Sequence, residues 1–533
     1  MATPRISSPS VWTSASDPWS SQPACHDDPS PYSSPFLGLS DFDNMSDHAS
    51  STSSSAHVLR VAIVGGGLGA ACLLRGLLRY PHIVADLYDA RPRFCDEGPA
   101  LDLSEAHQEV LRSLDPALDA CLDRAGAVYS SVALCVATAT TPHRGIDLSG
   151  LPIPGRRTVG RQALLDEILA DVPPYLLHTN TPITAVSGAA EGDAASGAAF
   201  LEFVDGTRRR YDVVVGTDGT HSLARSFVVS SGQGSGQTIP AESGDEEDPA
   251  LTPASAGSWV LPLVVPLARA QQAMGPGYLD PQSPCRAGWI GDGIFMQHDL
   301  INHGRDVQIS LSAVLPPPPP PSNGGRDPHP GSAGPSWAKL FTPEEFEATF
   351  AQNRSPACQG MVKLVQSVYT VQIAGIVQTH HVPTRTYARG RVCVLGGAAH
   401  AASPYHGADA AGLSLEHALV LAALLGHSAS SGVGLRGLTK GGRDVEASLP
   451  FYALRAYDAV CRPRAERVVR AASDVTNILL GRDGGGGLVD LDPVSIAERL
   501  RQKWPAVHNL HVTGLLNAAV DTMEQFIAED SKW

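Results

Sequence analysis

Val58-Leu59-Arg60-Val61-Ala62-Ile63-Val64 runs directly into Gly65-Gly66-Gly67-Leu68-Gly69-Ala70-Ala71, and then Cys72 to Arg79 carry apolar residues at helical spacing. The first seven residues are apolar and β-branched and end at glycines, the pattern of a strand buried on both faces of a parallel sheet. Strand, glycine turn and helix together form the context in which G-x-G-x-x-(G/A) cradles a pyrophosphate. Gly65 permits the turn, Gly67 lets a phosphate approach the backbone, and Gly69 and Ala70 are small enough for close helix–strand packing. The free N–H groups at the helix start then face the anion. A second strand, Ile83 to Tyr88, ends at Asp89, 24 positions beyond Gly65, where a carboxylate would accept hydrogen bonds from an adenosine ribose. The loop alone does not separate NAD from FAD.

Outward from this nucleus, composition narrows the class. The chain has 533 residues, 43% hydrophobic and 17% charged, with a formal charge of −15. That balance describes a globular protein long enough for a large core, and it argues against a nucleic-acid partner, which would need a basic surface. Nine cysteines stand singly without CxxC spacing, so we expect reduced thiols and no zinc site. No apolar run spans a bilayer, and the N-terminus lacks a signal core, so a cytoplasmic protein is expected. Residues 1–57 contain 17 serines and many prolines, which predicts a disordered tail. Three stretches read as surface insertions: 230–256, 316–336 with its six consecutive prolines, and 427–446. The proline run would form a stiff polyproline helix, a spacer or an SH3-type ligand.

Two further segments carry the functional reading. Tyr211-Asp212-Val213-Val214-Val215-Gly216-Thr217-Asp218-Gly219 is a buried strand entering a polar turn, and Gly390-Arg391-Val392-Cys393-Val394-Leu395-Gly396-Gly397-Ala398-Ala399-His400 is another, followed by Pro404, Gly407 and Ala408. With the glycine loop these resemble, in order, the motifs of class A FAD-dependent aromatic monooxygenases, with the salicylate hydroxylase-like branch nearest. Arg161 matches the arginine that this family places near FAD at a helix start, and Tyr457 to Arg464 resembles its closing helix. The resemblance covers roughly residues 58–480. It implies an α/β protein of p-hydroxybenzoate hydroxylase-like architecture: a Rossmann-like FAD-binding domain (58–230 and 377–480) interleaved with a mixed or antiparallel β-sheet substrate domain (257–376), then C-terminal helices (481–533). It implies FAD as cofactor and NAD(P)H and O2 as cosubstrates. A flavin C4a-hydroperoxide would hydroxylate a phenolic, salicylate-like or polyketide-derived aromatic. The cofactor-binding positions would be Gly65, Gly67, Gly69, Ala70, Asp89, Arg161, Asp218, Gly219, Gly396, Gly397, Pro404, Gly407 and Ala408.

Departures from the pattern matter. The family usually has Gly-Asp where this chain has Gly396-Gly397, so a carboxylate expected on a ribityl hydroxyl is absent. A hydrogen bond to a charged group contributes about 1.5 to 3 kcal/mol, so the loss predicts flavin held roughly 10- to 150-fold more loosely. The loop after Pro404 is altered as well, and Asp409 there either repels reduced flavin or points to solvent. A flavoprotein-shaped chain that has lost tight flavin and serves as a binding partner is therefore the alternative from another class; epoxidation or Baeyer–Villiger oxidation is the alternative within enzymes. For substrate contact or proton abstraction, His298, His406 and Tyr405 are the candidates, because histidine titrates near neutral pH and all three are placed near the ring by the resemblance.

Overall fold

The computed structural model describes residues 58–530, apart from 97, 139–143, 150, 152–155, 189–196, 231–249, 317–337, 403–409, 436–438, 441–442, 484–486 and 488–490, and gives only backbone for 410, 428–435, 439–440 and 443–447. The expected tail (1–57), the proline run beyond Pro316, and Pro404, Tyr405, His406, Gly407, Ala408 and Asp409 therefore lie outside the described residues.

The apolar runs pair as their composition requires. Leu59–Val64 lies between Val213–Gly216 and Ile83–Tyr88, parallel to both, in a six-stranded sheet. Val392–Val394 and then Ala388–Arg389 extend one edge, and Leu177–His178 closes the other. Strands buried on both faces need no polar alternation, and Val61, Ala62, Ile63, Val213, Val214 and Val215 are fully buried. The helix Leu68–Leu77 covers one face. Its small residues let the long helix Ala410–Leu435 approach: a Cβ on Gly76 would lie 2.8 Å from Ala422, and one on Gly69 would lie 3.1 Å from Ser414.

An eight-stranded sheet stands beside it, in the order Ala338–Phe341, Ile373–His380, Ala254–Pro266, Asp306–Val314, Ile294–Ile301, Cys285–Ile290, Ser131–Val136, Arg144–Gly145. All neighbours are antiparallel except Cys285–Ile290 with Ser131–Val136. Alternation divides its side chains between two faces. Trp259, Leu261, Trp289, Met296, Ile309 and Leu311 join a core with Phe346, Phe350, Met361 and Val365 from the helices Pro343–Phe350 and Pro356–Val368. The opposite face carries Val260, Pro262, Phe295, Gln297, Asp299, Gln308, Ser310 and Ser312, which pair with one another in register.

Several boundaries differ from the sequence expectation. Within the expected β-sheet substrate domain, residues 356–368 form the helix Pro356–Val368, because Met361, Leu364 and Val365 follow helical rather than alternate spacing. The strand Ala254–Pro266 begins inside the expected insertion 230–256, and Ile373–His380 crosses the expected boundary at 376. The helix Ala410–Leu435 runs well into 427–446, and the next helix, Val445–Leu479, starts within that stretch. Ser131–Val136 joins the eight-stranded sheet although it falls in the first nucleotide-binding segment of the chain. Among the described residues no helix is long and apolar enough to cross a membrane, and the eight described cysteines form no disulfide.

Candidate cofactor cleft and substrate face

A cleft of ≈ 800 Å³ lies at the carboxyl ends of the parallel strands, where open α/β sheets bind nucleotides. Gly65 to Ala70, Asp89, Arg161, Asp218, Gly219, Gly396 and Gly397 line it from the six-stranded sheet, and Val260, Ile376 and Gln378 line it from the eight-stranded one. The motifs separated by more than 300 positions in the chain thus meet around one space.

Each wall has a local cause. Gly65 sits at φ +109°, which L side chains rarely adopt, and its N–H donates to the Tyr88 carbonyl, so the turn is tied to the end of the neighbouring strand. Asp89 is buried, and its carboxylate accepts from the Arg91 backbone N–H at 2.8 Å and from Arg91 Nε and Nη2 at 3.0 and 2.9 Å. Arg161 opens the helix Arg161–Leu169 and reaches back to the Pro99 carbonyl at 2.7 Å and to Asp96 Oδ1 at 3.2 Å. Asp218 turns onto the helix Leu223–Val229: its carboxylate accepts from the Ser222 hydroxyl and from the Leu223 N–H at 2.8 Å. Burial raises its pKa, against those hydrogen bonds, which lower it.

Sequence reasoning missed Asp96. Its Oδ2 accepts from the Leu68 N–H at 2.8 Å, at the amino end of the glycine-loop helix, while its other oxygen meets Arg161. No motif spacing flags a carboxylate that reaches the loop from 28 residues away. Also missed was a buried quartet that ties the strand Leu101–Leu103, part of a small three-stranded sheet, to the eight-stranded sheet. Arg286 bridges Asp102 and Asp299, and Asp102 also accepts from Arg156 Nε at 2.6 Å. Beside it, Gln308 Oε1 accepts the Ala100 N–H at 2.5 Å, so the cleft-lining turn Gly98-Pro99 is pinned to the substrate sheet.

His298 requires a correction. The strand Ile294–Ile301 alternates, and the register gives Gln297 and Asp299 to the cleft side and His298 to the other. There it packs on Trp289, with ring centroids 5.5 Å apart, fully buried and with neither ring nitrogen hydrogen-bonded. Burial, helped by the Arg286 charge, pushes its pKa down to about 4, so it is neutral at physiological pH and out of reach of the cleft. His400 is buried against His417, centroids 4.6 Å apart, and burial brings its pKa also down to about 4.

No family model matches the chain. Among curated proteins it is 27% identical over 461 residues to a 6-methylsalicylate 1-monooxygenase from Aspergillus terreus, covering 83% of this chain and 86% of that one. It is 26% identical to a salicylate hydroxylase from Pseudomonas putida, covering 80% and 87%. Its fold matches a salicylate hydroxylase solved as a substrate complex, with a TM-score of 0.63 at 19% identity over 87% of this chain and 98% of that one. The chain is an FAD-dependent monooxygenase of the salicylate hydroxylase type. The HpxO protein of Klebsiella pneumoniae, solved with FAD and uric acid, shares the fold at a TM-score of 0.56 and 18% identity, over 87% and 96% of the two chains.

The monooxygenase's cleft suits that cofactor on its own geometry: amide groups at a helix start, a buried carboxylate at the second strand's end, and an arginine within reach of the same turn. The missing carboxylate at 397 can be restored. A Cβ on Gly397 would lie 3.4 Å from Gly219 Cα, an ordinary contact, and the backbone there is not left-handed. We expect Gly397→Asp to tighten FAD by roughly tenfold or more, read by fluorescence titration of the apoprotein. An unchanged dissociation constant would mean that another group already serves that hydroxyl.

Proposed function

We propose that this monooxygenase uses NAD(P)H and O2 to hydroxylate a phenolic aromatic substrate held between the flavin and the eight-stranded sheet. The observation that carries the reading is the double wall of the cleft. Gly65 to Ala70, Asp89 and Arg161 stand on one side, and Val260, Ile376 and Gln378 of the sheet stand on the other. FAD, when bound, supplies the redox chemistry that side chains lack. The protein's share is positional. Amides of the glycine loop and Arg161 would hold the pyrophosphate, Asp89 the adenosine ribose, and the backbone at Gly396 and Gly397 the ribityl end. The apolar side chains of the sheet exclude water from the reacting ring, and the Gln308–Ala100 bond keeps the intervening turn in place. With 6-methylsalicylate and salicylate in the names of its relatives, a mono- or dihydroxylated single ring is the first substrate to try.

The test is NADPH and NADH oxidation by the FAD-loaded protein against a panel of phenols, with product mass measured under 18O2. Ring-stimulated oxidation with one 18O in the product is the expected result. Reduction of the flavin that no phenol stimulates, with no labelled product, would overturn the reading.

A further inference from the structure

We propose that the sheet face above the flavin recognises an uncharged hydroxyl–carbonyl pattern on the substrate ring, so that the preferred substrate is a neutral phenol bearing an aldehyde or ketone rather than a ring carboxylate. This deepens the proposed function and rests on it. Val260, which lines the cleft, pairs with Ser312, and Ser312 pairs with Phe295. The next row of the same face is Pro262, Ser310, Gln297 and Gly288. The row after that holds Gln308, whose amide oxygen binds the turn at Ala100. The Ser310–Gln297 row therefore lies between the row of the cleft-lining Val260 and the row whose Gln308 holds Ala100, the residue next to the cleft-lining Pro99.

Its chemistry is polar and neutral. Ser310, Ser312 and Gln297 are 1%, 5% and 7% exposed, and both serine hydroxyls are buried with no hydrogen-bond partner among the described residues. A buried hydroxyl without a partner is costly, and it is ordinarily matched by protein, water or ligand. Hydroxyls and a carboxamide can each donate and accept, which suits a phenol and a carbonyl equally.

The same face offers nothing to neutralise a carboxylate. Its basic strand residues, among those described, are Arg286, Arg144 and His380. Arg286 is held by Asp102 and Asp299, and with Arg156 the four charges cancel. Arg144 is exposed in the edge strand, facing Asp492 at 4.0 Å, and His380 ends its strand two residues past Gln378. A ligand carboxylate at the serine row would be a buried, unpaired charge, which a neutral carbonyl avoids.

The discriminating pair is 2-hydroxybenzaldehyde and 2-hydroxybenzoate, identical in ring and hydroxyl. Each is titrated into the FAD-loaded full-length protein, following the bound flavin's visible spectrum. We expect the aldehyde to bind at least about tenfold tighter, and the Ser310→Ala/Ser312→Ala variant to weaken the aldehyde roughly tenfold while retaining flavin. The proposal is overturned if the carboxylate binds as tightly as the aldehyde, if the serine variant binds the aldehyde unchanged, or if neither compound perturbs bound flavin. Failure to load FAD at all is a separate result, which sinks the underlying monooxygenase reading instead.

Discussion

Gly65→Val should leave a protein that retains no flavin. Two independent obstacles act at this position. The φ of +109° is strained for any L side chain, and a Cβ would lie 2.4 Å from the Thr217 carbonyl oxygen and 2.5 Å from its carbon. Backbone cannot swing aside as a flexible side chain can. The Thr217 segment is also fixed: its N–H donates to the Val64 carbonyl at 2.7 Å, and its hydroxyl donates to the Val64 and Gly65 carbonyls at 2.9 and 2.8 Å. Relief must come from the glycine turn moving into the cleft, where the pyrophosphate would lie. Strain of about 1 to 3 kcal/mol plus the displaced amides should cost at least about 100-fold in FAD affinity. Flavin content after gel filtration is the readout, and retention equal to the parent protein would remove this loop from the cofactor site.

Arg286→Met should be the most destabilising single change in the substrate sheet. The variant keeps most of the side chain's volume but leaves Asp102 and Asp299 buried without their shared cation, and breaking a buried pair from one side costs about 3 to 5 kcal/mol. Denaturant unfolding measures it, and a loss under about 1 kcal/mol would show that water reaches the quartet. The acid response gives a second readout. Burial raises the Asp102 pKa, but the charges of Arg156 and Arg286 and their hydrogen bonds outweigh it and hold the carboxyl below its ordinary value of 3.8. A depressed carboxylate contributes stability that is complete above its unfolded pKa and is lost as pH falls through the folded one. Removing Arg286 withdraws part of that depression, so the Asp102 contribution should be lost at higher pH in the variant than in the parent.

The parts of the fold that were legible in the sequence are those where local chemistry and tertiary role coincide. A strand that enters a glycine turn and a helix can be read because every residue in it answers to one demand, and Asp89 falls where that unit's length puts it. The eight-stranded sheet was less legible for a definite reason. Both of its faces are buried, one against helices and one toward the cleft, so hydrophobic alternation does not mark which is which. His298 and Gln297 are neighbours in the chain, and nothing local distinguishes the residue that faces Trp289 from the one that faces the cleft. The clamp of Asp102, Arg156, Arg286 and Asp299 was invisible because its members are separated by up to 197 positions and belong to no spacing rule; only the pairing of strands brings them together.

The order in which the strands are threaded bears on how the protein is made. Val213–Gly216 needs Leu59–Val64 on one side and Val392–Val394 on the other, while Ser131–Val136 must wait for Cys285–Ile290. A ribosome that has released the first half of the chain has delivered neither sheet complete, and the nucleotide-binding segment remains with an open edge for as long as the second half takes to emerge. At about 5 to 20 residues per second, the 175 residues between Gly216 and Val392 occupy on the order of 9 to 35 s of synthesis. Throughout that interval the apolar strand edge is exposed, which makes the chain a poor candidate for expression as separate halves.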